Sequence, residues 1–132
     1  MKSFVCLSIC LLGFVAIAGP AAAATANFQA NCDHGIPTDC IFDPTRTPTG
    51  GTPTACPGSS VKKYFWDFGD GTSAFVTPPP HTTSHTYSTG VQTDVCLTVF
   101  CNDGTSSPAG CHCFSNQVGV NGCIRNIANW TP

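Results

Sequence analysis

The sequence predicts an all-β domain, a sandwich or barrel of short strands stapled by disulfides. Three observations carry this prediction. After the first two dozen residues no heptad or 3.6-residue apolar period appears, whereas Thr, Val, Phe and Tyr are common and Gly or Pro breaks the chain every few residues. Segments such as "QTDVCLTVFC" alternate apolar with polar residues at period two, the spacing of a strand with one buried face. The chain carries ten Cys in 132 residues, a density that suits a small exported domain in an oxidising compartment.

The first segment reads as a leader. Met1-Lys2-Ser3 is a short positive start, Phe4 to Ala18 is uncharged and largely apolar, and Gly19-Pro20 leads into Ala21 to Ala24. This is the pattern of a secretory signal peptide, with cleavage options after Ala23, Ala24 or Ala26; cleavage after Ala24 gives a leader of residues 1–24. Its apolar run falls short of the roughly 20 residues a spanning helix needs, and no second such run follows. The expectation is therefore a secreted, periplasmic or cell-surface protein with no membrane insertion after cleavage. The expected organisation is one domain over residues 25–114 and a tail over residues 115–132.

Charge narrows the function classes. Beyond the leader stand Arg46, Lys62, Lys63 and Arg125 against seven Asp, with no Glu. Four scattered cations do not make the basic patch that nucleic acid or an anionic membrane surface requires. Two Cys leave with the leader, and Cys32, Cys40, Cys56, Cys96, Cys101, Cys111, Cys113 and Cys123 remain. Eight Cys allow 105 pairings. About four bridges are expected, with Cys101 joined to Cys111 across the last hairpin and Cys123 tying down the tail.

The strands follow in order. Asn27 to Ala30 and Asp39 to Phe42 are the first two, and the Pro-, Gly- and Thr-rich stretch 44–60 is a long loop. Lys62 to Phe68 is the third, with Tyr64, Trp66 and Phe68 on one face and Lys63, Phe65 and Asp67 on the other. Gly69-Asp70-Gly71 ends it in a tight turn. Ser73 to Thr77 returns, stopped by three Pro, and Thr83 to Tyr87 is the fifth strand. Gln92 to Cys101 is the sixth, with Val95, Leu97 and Val99 alternating with Cys96, Thr98 and Phe100; Gly110 to Phe114 is the seventh.

The blocks "YFWDFGDG" (Tyr64 to Gly71), "HTTSHTY" with His85 and Tyr87, and "VQTDVCLTVFCNDG" occur in order and at sensible spacing. Together they resemble the PKD (polycystic kidney disease) domain family. The match is specific from about residue 61 to 106 and extends more weakly back to Ala26, where Cys40 to Asp43 resembles the family's second strand. The resemblance implies an immunoglobulin-like β-sandwich of about seven strands. It also implies an extracellular, non-catalytic module that binds or spaces. The chain departs from the family in its eight Cys, since members are usually Cys-poor. It also shows none of the hydrolase or surface-protein domains to which members are often fused.

Chemistry-bearing residues are few. Asp67 and Asp70 are a minority calcium candidate, since Ca²⁺ takes six to eight oxygen ligands and two Asp do not suffice alone. The structural reading gives Asp70 to the turn and Asp67 to backbone N–H groups. Without Glu, an acid–base pair would have to be Asp–Asp, and no G-x-S-x-G stretch supports Ser-His-Asp catalysis. "CHC" at Cys111 to Cys113 lacks the C-x₂₋₄-C spacing of structural zinc sites. No enzyme, cofactor or metal is expected. His85 and Tyr87, in the H-x-Y block, are expected to pack on the Trp66 side. The functional expectation is a monomeric module for protein or carbohydrate binding or adhesion. Phe65, Phe75 and Tyr87, if exposed, are its contacts, beside Lys62 and Lys63, because aromatics anchor such surfaces. The alternative is a secreted inhibitor or effector acting through the Pro-rich loops 44–58 and 77–83.

Overall fold

The computed structural model describes residues 22–33, 37–47, 51–88 and 92–115. It shows seven strands: β1 (Gln29–Cys32), β2 (Thr38–Asp43), β3 (Val61–Asp67), β4 (Ser73–Val76), β5 (Thr83–Tyr87), β6 (Gln92–Cys101) and β7 (Gly110–Ser115). They form two antiparallel sheets, β1-β2-β5 and β4-β3-β6-β7. This is a β-sandwich, one of the two architectures that the alternating segments imply, and its immunoglobulin-like form is the one that the family resemblance implies.

The alternation explains which side chains fill it. Tyr64 and Trp66 on β3, with Phe68 just beyond, point inward, as do Val95, Leu97 and Val99 on β6; all are buried. Phe42 of β2 and Phe28 meet them from the other layer. Phe28 lies edge-on to Trp66 at 4.9 Å and Phe42 lies 5.6 Å from it. Such aromatic pairs add to their burial, so a small domain obtains a dense core from few residues. Among the described residues Trp66 Nε1 is buried with no hydrogen-bond partner.

Two sequence expectations are corrected. The first strand begins at Gln29 rather than Asn27, because the long loop takes Asn27. Its amide donates to Thr54 Oγ1 (2.8 Å) and its side-chain Nδ2 to the Thr52 carbonyl (3.0 Å). A bridge between Thr25 and Ala55 continues the contact, and Ala24 beside it is buried. The second correction is the disulfide pairing. Cys101 joins Cys56, not Cys111; Cys111 joins Cys96, and Cys32 joins Cys40. Cys101 is buried with Val99 on the inner face, whereas Cys111 pairs with Cys96 on the outer face, so the expected bridge would have had to pass through the sheet. Cys113 is disulfide-bonded as well. Cys123, most of the expected leader (residues 1–21) and the expected tail beyond residue 115 lie outside the described residues.

Candidate functional site

Two regions hold the residues that the sequence singles out. The first is the turn after β3. Asp67 Oδ1 accepts from the Gly69 amide (2.9 Å), and Asp70 Oδ1 accepts from the Thr72 amide (3.0 Å) and hydroxyl (2.6 Å). Both carboxylates thus cap their own turn, as Asx side chains do. The same arrangement recurs at Asp43–Thr45 and Asp103–Thr105, so a D-x-T turn is a local habit of this chain.

β5 of the opposite sheet closes on this turn. His85 stacks on Phe68 at 4.1 Å with its ring nearly parallel, and its Nε2 lies 2.7 Å from Asp70 Oδ2. Tyr87, two residues on, donates its hydroxyl to the Phe68 carbonyl at 3.0 Å. Thr93 donates to the Gly69 carbonyl at 2.8 Å. Trp66, Asp67, Phe68, Gly69, Asp70, Gly71, His85 and Tyr87 therefore form one structural unit, a clamp that joins the two sheets at one end. Burial pushes the Asp70 carboxyl up, but the Thr72 hydroxyl, His85 and the Thr72 amide outweigh it and hold the carboxyl below its ordinary value. Burial, with Asp70 and Asp67 nearby, raises the Tyr87 phenol well above its ordinary range.

This cluster lacks the geometry of a proton relay. A relay needs the carboxylate on one imidazole nitrogen and the nucleophile on the other. Here Asp70 Oδ2 and the Thr72 hydroxyl both face Nε2, at 2.7 and 3.5 Å, and that hydroxyl donates to Asp70. Nor do the described residues contain a group of three or more His, Cys, Asp or Glu placed to hold a metal. The cavity between Phe28, Ala30, Phe42, Val95, His112 and Phe114 measures about 10 Å³, room for about one water.

The second region is the outer face of β4-β3-β6-β7. Phe65 pairs directly with Phe75 across β3 and β4, with ring centroids 4.8 Å apart. Lys63 pairs with Phe100, and its Nζ lies 4.4 Å from the Phe75 ring centre and 4.9 Å from that of Phe100. Phe75 is 61% exposed. Three Phe and one cation thus share the outer face of the sheet, and the ammonium is held by cation–π attraction to two rings. Phe100 is absent from the sequence-based contact set, although its outward position in the alternation of β6 was the signal for it. Tyr87 is corrected: it is 1% exposed and belongs to the clamp, not to a contact surface.

The described C-terminal part of the Pro-rich loop, residues 51–60, is anchored. Cys56 ties it to Cys101, and Ser60 accepts from Asn102 through both its carbonyl (2.9 Å) and its hydroxyl (2.8 Å).

The family profile of the PKD domain matches residues 23–111. Among solved structures, the PKD1 domain of the Vibrio cholerae metalloprotease PrtV is similar at 16% identity, with a TM-score of 0.48, over 68% of this chain and 94% of that one. No curated protein matches the chain.

Proposed function

Because the chain belongs to the PKD domain family, we propose that it is a secreted, non-catalytic β-sandwich module that binds an extracellular protein or polysaccharide through the outer face of its four-stranded sheet. PKD domains are generally non-catalytic, and family and disulfides together suit an extracellular or cell-surface setting. In this reading residues 1–24 are a cleaved leader. One observation carries the choice of face: Phe75, 61% exposed, stands beside Phe65 and under the Lys63 ammonium. A large aromatic left in water on a rigid sheet contributes nothing to the core, yet it is the residue type that anchors interfaces.

The test is a screen of the purified protein against extracellular proteins and a glycan array, repeated with Phe75→Ala and Lys63→Ala. Loss of binding by about tenfold or more in either variant, with unchanged melting temperature, supports the face. Binding that survives both substitutions moves the site to the loops. There the alternative of a disulfide-stabilised inhibitor has one observation in its favour. Residues 51–53 are exposed on a segment held at Thr25 and Cys101, the presentation a loop inhibitor needs.

A further inference from the structure

Three disulfides have both partners among the described residues, and they differ in access to solvent. Cys32, Cys40, Cys56 and Cys101 are each at most 9% exposed. The Cys96–Cys111 bridge lies on the outer face, between directly paired residues of β6 and β7; Cys111 is exposed and Cys96 is half-buried. Its surroundings are acidic. Asp67 pairs with Cys96 from the β3 side, and Asp94 lies two residues before it on the same face of β6. Both Asp are exposed. Lys63, also on this face, is four residues from Asp67 along β3, about 13 Å away at strand spacing.

We propose that the Cys96–Cys111 bridge is a thiol-exchange site, open to an external thiol and selective for one that carries a positive charge. The external thiolate attacks the Sγ of Cys111, the more exposed residue of the pair. The Cys96–Cys111 bond breaks, a mixed disulfide forms on Cys111, and Cys96 leaves as a thiolate that takes a proton from water. A second thiolate attacks the external sulfur of the mixed disulfide and releases Cys111 as a thiol. The protein disulfide is reduced by two electrons, and two thiols are oxidised to one disulfide. Access and thiolate chemistry set the rate of such exchange. Asp67 and Asp94 repel an anionic nucleophile and draw one bearing an ammonium group. The buried bridges react only after the fold opens locally.

The experiment uses the intact folded chain and two probes, cysteamine and glutathione, at equal thiolate concentration. Samples are quenched, alkylated and mapped by mass spectrometry over time. Cys96 and Cys111 are expected to label at least about tenfold faster than Cys32, Cys40, Cys56 and Cys101, since each 1.4 kcal/mol of required opening is a factor of ten. Cysteamine is expected to outpace glutathione at low salt, and the gap to close near about 1 M salt, where screening is nearly complete. Asp94→Asn, at an exposed position, is expected to narrow that gap. Labelling of any of the four buried cysteines as fast as Cys111 overturns the exchange site. Equal cysteamine and glutathione rates at low salt overturn its charge selection.

Discussion

At Gly69 the backbone turns with φ +76°, and a Cβ there would lie 2.0 Å from Thr93 Oγ1 and 2.4 Å from the Asp94 carbonyl oxygen. Gly71, two residues on, has φ +90° with nothing within 4 Å of a Cβ. The two glycines of one motif are therefore required for different reasons. Gly71 supplies only a left-handed conformation, which costs another residue about 1 kcal/mol. Gly69 supplies that conformation and also the close approach of β6, whose Asp94 carbonyl is backbone and does not yield easily. Gly69→Ala is expected to destabilise by about 2–4 kcal/mol and Gly71→Ala by about 1 kcal/mol, read as midpoint shifts in urea at constant slope. Equal losses would mean that Thr93 and Asp94 do not confine Gly69.

At the level of elements, the disulfides tie the strands together unequally. Cys56–Cys101 spans 45 residues and fixes the long loop to the end of β6, whereas Cys32–Cys40 spans 8 within the β1-β2 hairpin. If chain entropy dominates, replacing the first pair by Ser costs about 4 kcal/mol and the second about 2.5 kcal/mol. A larger loss for Cys32–Cys40 in thermal or urea unfolding would contradict that ordering. The strands were legible in the sequence because period two is local: β5 and β6 begin and end where the alternation does, and Trp66 and Phe68 face inward as read. The disulfides were not legible, because they depend on register. Asn102 to Gly104 does turn, but Ser107 then bonds back to Val99 and the chain reaches β7 only at Gly110. The partner of Cys111 is thus Cys96, fifteen residues away. Parity along β6 already separated Cys96 from Cys101, and that signal outweighed nearness to the turn. The clamp was half legible. Spacing put His85 and Tyr87 on one face, but it could not say that they would meet Asp70 and the Phe68 carbonyl from the other sheet.

Across the whole molecule, two polar seams close the sandwich on opposite sides, and both respond to acid. On one side β7 meets the segment before β1. His112 Nε2 lies 2.7 Å from Asn27 Oδ1, which also accepts from the Phe28 amide at 2.9 Å, so the neutral ring with a proton on Nε2 fits. Burial holds His112 below its ordinary value of 6.5. From 6.5 down to that lowered value the unfolded chain binds a proton that the folded chain refuses, so stability falls as pH falls. On the other side the Asp70–His85 contact joins the β3-β4 turn to β5. The Asp70 carboxyl is held below its ordinary 3.8, so its stabilising effect is present above 3.8 and is lost as pH falls through the folded value. Asp103, likewise lowered by Thr105, adds to the same lower step. Melting temperature against pH is expected to show two separate declines, one beginning near 6.5 and one below 3.8. His112→Gln, which keeps a side-chain N–H for Asn27, removes the upper decline and leaves the lower one. Asp70→Asn shrinks the lower decline and leaves the upper. If His112→Gln retains the full upper decline, the seam between β7 and Asn27 is not what acid opens first.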